Sequence, residues 1–170
     1  MTGAPERENS LERENSLKSR LLPMQQIPLL LPASCIVDVV DYSRPSGGCQ
    51  ESRWLLGEID WRGQTIPLIT FERINGGRFA EFSATARIAV MHSSIGNAQT
   101  PFYAMVIQGI PQAVELTAGD VQPRGEADSH RGSAETFRVT IKGIPAAIPD
   151  LEKVEQQLSA MFTDHPIDTA

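Results

Sequence analysis

Apolar and polar residues alternate in short runs along most of the chain, and the runs are separated by Gly, Pro, Asn and Ser. This rhythm predicts β-strands, because successive side chains of a strand point to opposite faces. Trp54 to Phe71 is the clearest case. Leu55, Leu56 and Ile59 form an apolar arm, Arg62-Gly63 forms a turn, and Thr65 to Phe71 returns as a β-rich run. Glycine takes positive φ without steric cost, so a two-residue reversal fits at Arg62-Gly63. Gly57 interrupts the first arm and predicts a bulge, or a point where another backbone comes close. Pro67 lacks a ladder donor, which places it at an edge or a bulge.

The same reading extends outward from that hairpin. Leu21 to Met24 and Leu29 to Leu31 predict a cramped strand pair, held at an edge by Pro23 and Pro28. Ser34 is read as the cap of a short helical turn. Val37, Val39 and Val40 then favour a strand, with Asp38 on the face opposite Val37 and Val39. Residues 43–52 are a Gly-, Pro- and Ser-rich loop. Phe71 to Ile74 reads as one helical turn stopped by Asn75-Gly76-Gly77. Arg87 to Met91 pairs with Phe102 to Ile107, and Gln112 to Leu116 resumes after a break at Gly109-Ile110-Pro111. Phe137, Val139 and Ile141 face a core at period two. Lys142-Gly143 is a second two-residue turn, and Ile144 to Ile148 returns with Pro145 at an edge. Asp150 caps a helix from Leu151 to Phe162, whose buried face carries Leu151, Val154, Leu158 and Met161 or Phe162. About eight to ten short strands with one terminal helix predict a barrel or a sandwich.

Composition narrows the possibilities. A chain of 170 residues, 41% hydrophobic, suits one domain or two small subdomains sharing a core. Its net charge of −6 gives no nucleic-acid footprint. No apolar run approaches the roughly 20 residues that span a bilayer, and no apolar signal core opens the sequence. Residues 6–11 and 12–17 repeat the hexapeptide ERENSL. Leu11 and Leu17 fall outside helical spacing, so residues 1–18 read as a disordered tail, 19–162 as the folded domain and 163–170 as a loose end. Cys35 and Cys49 are too few for a disulfide framework and read as free thiols.

Catalytic constellations do not emerge. His92, His130 and His165 fall in predicted loops or tails, without the spacing of a metal site. Ser93 and Ser94 beside His92 form a polar turn rather than a triad. Gly76-Gly77 lacks the lysine and the strand-to-helix context of a phosphate loop. Asp38, Glu58 and Asp60 come near one another in the predicted fold, but no aromatic-lined cleft accompanies them. The pair that remains is Asp38 with Arg62, read as an ion pair that orients the turn. The residues therefore suggest a non-catalytic binding protein without cofactors.

The order Gly57, Ile59, Asp60, Arg62-Gly63, Ile66-Pro67 and Leu68-Ile69 resembles the signature hairpin of CheW-like coupling domains, and the resemblance runs from Leu21 to Leu158. Asp60 stands where that family has Asn, Trp61 where it has Leu, and Thr70-Phe71 where it has Asp-Leu. Gln108 replaces an expected Asp, and the aromatic-Gly motif between the first two strands is missing. The short form is most similar to CheW-like proteins of type IV pilus chemosensory systems. The resemblance implies a mainly β fold of two small five-stranded SH3-like barrels with a C-terminal helix. It implies a cytoplasmic adaptor, recruited to receptor arrays, between a methyl-accepting chemoreceptor tip and the regulatory domain of a CheA-type histidine kinase. By position, Ile36, Gly57 and Arg62 fall in the receptor groove region, with Asp38, Val39 and Leu56 near it. From the residues alone, a small β-barrel module for another protein or peptide is the alternative.

Overall fold

Eleven strands form two sheets in a computed structural model that describes residues 16–47, 53–77, 82–96, 100–124 and 131–164. The tail at 1–15, the end at 165–170, Cys49, His130 and His165 lie outside the described residues. The strands are β1 (Leu17–Leu22), β2 (Leu29–Pro32), β3 (Ile36–Asp41), β4 (Leu55–Trp61), β5 (Gln64–Ile69), β6 (Arg87–His92), β7 (Phe102–Ile107), β8 (Gln112–Leu116), β9 (Val121–Pro123), β10 (Glu135–Ile141) and β11 (Ile144–Pro149). Helix α1 is the single turn Phe71–Ile74, and α2 is Leu151–Asp164. One sheet has the order β3-β6-β7-β5-β4 and the other β8-β1-β2-β11-β10-β9. The protein is mainly β, with two small β subdomains and one C-terminal helix. The second sheet carries a sixth strand because β9 adds to the outside of β10.

Both hairpins turn as their sequences dictate. Arg62 and Gly63 have φ of 50° and 75°, and Lys142 and Gly143 have 48° and 83°. Positive φ at both central residues is the type I′ geometry, whose twist matches that of the flanking strands. Each hairpin then runs into a helix, α1 after β5 and α2 after β11.

Three apolar clusters hold the molecule together. Ile59, Trp61, Ile66, Leu68, Ile88 and Val106 fill the five-stranded unit. Leu21, Leu30, Val139 and Ile141 fill the six-stranded one. A third cluster joins Leu22, Leu29 and Leu31 to Ile69, Phe71, Met91, Tyr103 and Met105, with Val154 and Leu158 of α2. This is the seam between the subdomains, because β1 and β2 pair with the C-terminal half of the chain while β3 joins the middle. The Asp150 carboxylate accepts the Lys153 N–H at 3.1 Å and so caps α2. Asp150→Ala is expected to lower the stability by about 1 kcal/mol, read as a drop in the urea midpoint.

Several local expectations need correction. β1 begins at Leu17, inside the stretch read as tail, because Leu17 and Lys18 pair with Leu116 and Glu115 of β8. α2 runs two residues past Phe162. β1 and β2 are interior strands, and Pro23 and Pro28 sit in their connection rather than at a sheet edge. Pro67 and Pro145 also lie on interior strands, each ahead of the parallel ladder of its strand, which begins at Leu68 for β5 and is confined to Ala147 for β11. Ser34 lies within its turn, which Pro32 precedes as the cap position. Phe137 is 57% exposed, because a register shift between Glu135 and Phe137 carries the strand start off the core and buries Glu135 instead. His92 ends β6 rather than lying in a loop.

Candidate docking site

In the strand order of the five-stranded sheet, β3 and β4 are opposite edges. They nevertheless meet, so the sheet curls round on itself. Beyond β3 the chain returns to pair Ser46 with Glu58 of β4, through Ser46 N–H to Glu58 O at 2.9 Å and Glu58 N–H to Ser46 O at 2.8 Å. Side chains complete the closure nearby. Asp38 Oδ2 accepts the Trp61 indole N–H at 3.0 Å and an Arg62 guanidinium N–H at 3.2 Å. Asp38 Oδ1 accepts the Val39 N–H at 2.9 Å.

The Asp38 carboxyl is held below its ordinary range, first by the Trp61 hydrogen bond; burial opposes this, and the Val39 N–H and the Arg62 charge then add to the lowering. It is therefore an anion across the neutral range. Arg62 lies at the hairpin tip with its side chain 65% exposed, and its guanidinium stacks 4.9 Å from the Trp61 ring centre. Trp61 is buried and rests on Phe102 at 5.1 Å, and Phe102 meets the edge of His92 at 5.4 Å. A surface ion pair such as Asp38–Arg62 contributes about 0–1 kcal/mol. Its main effect is positional: a carboxylate and an indole face fix an outward cation.

The six residues singled out from the sequence divide into groups. Asp38 and Arg62 are brought together. Val39 lies one residue from Asp38 on the outward face of edge strand β3, with Val37, and both are exposed. Ile36, at the start of β3, is half-buried against the seam. Leu56 is half-buried against the core of the five-stranded unit, at a register shift between Leu55 and Gly57. Gly57 is buried, has φ of 139°, and a Cβ there would lie 2.4 Å from Ser46 O. Both the bulge and the close backbone occur at Gly57, and the backbone is the chain's own.

The member of this site that sequence reasoning missed is Trp61, taken only as an apolar stand-in. A buried indole N–H needs an acceptor, and that requirement was the available signal. Elsewhere, Glu155 of α2 is buried and accepts Ser94 N–H and Oγ–H, both at 2.7 Å, and the Ile95 N–H at 3.2 Å. Burial, with a lesser effect of Glu155, pushes the Cys35 thiol up, away from the thiolate a nucleophile needs. Among the described residues no helix is long and apolar enough to cross a membrane.

The model of the CheW-like domain family matches residues 21–158 of the chain. The fold is similar to the crystal structure of the scaffolding protein TtCheW from Thermoanaerobacter tengcongensis, with a TM-score of 0.65 and 14% sequence identity. That likeness covers 78% of this chain and 88% of TtCheW. No curated protein sequence matches the chain.

Proposed function

Because this chain belongs to the CheW-like domain family, we propose that it is a non-catalytic adaptor coupling a methyl-accepting chemoreceptor to a CheA-type histidine kinase. The setting proposed is the signal transduction of a type IV pilus and its twitching motility. The adaptor would work in the cytoplasm, recruited to receptor arrays. The observation that carries this reading is the tethered cation: Arg62 is exposed, yet Asp38 and Trp61 hold it in one place. A cation fixed before binding loses little side-chain entropy when a partner arrives, which favours recognition. The outward valines of β3 supply apolar surface on the neighbouring edge strand.

In this reading Val39 and Arg62 touch the receptor tip, while Asp38 orients Arg62. Ile36, Leu56 and Gly57 shape the strands behind the contact. The kinase regulatory domain binds a separate face of the same protein.

The test is surface plasmon resonance with the purified receptor tip and kinase regulatory domain as separate partners. Wild-type chain is expected to bind both. Arg62→Glu is expected to weaken receptor binding by about ten-fold or more, mainly through slower association, with unchanged circular dichroism. Failure to bind either partner, or an Arg62→Glu variant that binds the receptor normally, would overturn this assignment. Binding to neither favours a β-barrel module serving a different protein or peptide.

A further inference from the structure

A cavity of about 360 Å³ opens where the β1–β2 connection, α1 and the start of β10 meet. None of its lining residues belongs to the hairpin-tip site, and nothing in the proposed adaptor role uses it. Met24, Ile27 and Phe71 form an apolar wall. The same lining holds a built polar group. The Glu135 side chain has no exposed surface, and it accepts Arg138 Nε–H at 2.9 Å, Arg138 Nη2–H at 3.2 Å and Asn75 Nδ2–H at 2.7 Å. Asn75 is itself fixed, because its Oδ1 accepts the Ala134 N–H at 3.0 Å and Gly132 leaves no room for a Cβ beside it.

The charge balance of the lining is uneven. Arg138 is turned onto Glu135, so these two charges offset each other. Glu72 is the remaining charge. Its carboxylate accepts only neutral donors, Thr70 Oγ1–H at 3.2 Å and the Gln25 N–H at 3.4 Å, and makes no ion pair among the described residues. An anionic ligand would meet the Glu72 carboxylate. A cation would find Glu72 with spare lone pairs, and Gln25 and Gln26 are in the same lining. The volume is at the small end of ligand sites, which run from roughly 300 to 1,000 Å³, so it suits a group the size of one side chain.

We infer that this cavity is a recognition site for a guanidinium or ammonium group carried on a short apolar stem. The stem packs on Met24, Ile27 and Phe71, and the charged head donates to Glu72. Such a group reaches the site either as an arginine or lysine side chain of another protein or as a free small amine.

The experiment is an NMR titration of the full chain with two probes, N-acetyl-argininamide and agmatine, and with N-acetyl-norleucinamide as the uncharged control. Saturable shifts are expected at the amides of Gln25, Gln26 and Glu72 with a cationic probe, and none with the control. Glu72→Gln is expected to weaken binding by about ten-fold, as for loss of a charge-assisted contact, without moving the thermal midpoint. Ile27→Trp is expected to fill the cavity and abolish binding; should it fail to fold, Glu72→Gln alone decides. Preference for the amide-capped arginine assigns the site to a protein side chain, and preference for agmatine assigns it to a free amine. No saturation up to the solubility of either probe, or equal binding by Glu72→Gln, overturns the inference.

Discussion

Gly57→Val is expected to cost about 2–6 kcal/mol and to open the five-stranded barrel. At φ of 139° a β-branched residue is strained from the start, a penalty of about 1–3 kcal/mol. The new Cβ would also sit 2.4 Å from Ser46 O and 3.1 Å from the Pro45 side chain. Ser46 cannot retreat without breaking the two hydrogen bonds it exchanges with Glu58. Either the overlap remains or the bridge is lost, and each outcome adds about 1–3 kcal/mol. Urea unfolding reads the total, and hydrogen exchange locates it: the Ser46 and Glu58 amides should lose protection first. Gly63→Asn is the contrast. Gly63 has φ of 75° with nothing within 4 Å of an added Cβ, and Asn tolerates that conformation, so its cost should stay under about 1 kcal/mol. A Gly57→Val protein within 1 kcal/mol of wild type, with Ser46 still protected, would mean that the edges of this sheet do not meet there.

The contrast between these glycines shows what could be read from the sequence. Features set by a few neighbouring residues were legible: both two-residue turns, the Asp150 cap, and the strand pairs β4–β5, β6–β7 and β10–β11. At Gly57 a bulge or a close backbone was legible, but not which backbone, since it is that of Ser46, on a loop. The prolines misled because a missing N–H requires only a gap in one ladder. β2 is four residues long, and β5 touches β7 only at its end, so such gaps occur on interior strands. At the candidate site the Asp38–Arg62 pair was legible from charge and order. Trp61 as the second donor to Asp38 was not, because only folding shows that the two barrel edges meet. The buried carboxylates Glu135 and Glu155 were hidden for a similar reason. Their partners Asn75 and Ser94 are 60 and 61 residues away along the chain.

Glu135→Ala is expected to cost about 3 kcal/mol, the lower end for a broken buried ion pair, because Arg138 keeps 18% of its side chain exposed. The loss comes mostly from what stays behind: a guanidinium that has lost both Glu135 oxygens, and an Asn75 amide that has lost its carboxylate acceptor. Asn75 ends α1 and Glu135 begins β10, so the damage falls where the two subdomains join. The pH dependence separates this charge effect from a loss of packing. Burial opposes ionisation of Glu135, but the hydrogen bonds from Arg138 and Asn75 together with the Arg138 charge outweigh it and hold the carboxyl below its ordinary value of 4.5. A carboxyl with a depressed folded pKa contributes its stability in full above the unfolded value and loses it as the pH falls through the folded one. The isosteric Glu135→Gln should therefore trail wild type clearly at pH 7. The gap should begin to narrow as the pH falls below the ordinary value of 4.5, where the unfolded carboxyl takes up its proton, and close at lower pH, where the folded carboxyl is protonated and resembles the amide. Urea midpoints of both proteins across that range measure it. A gap that stays constant from neutral to acid pH would show that shape, and not charge, is what Glu135 contributes to the junction.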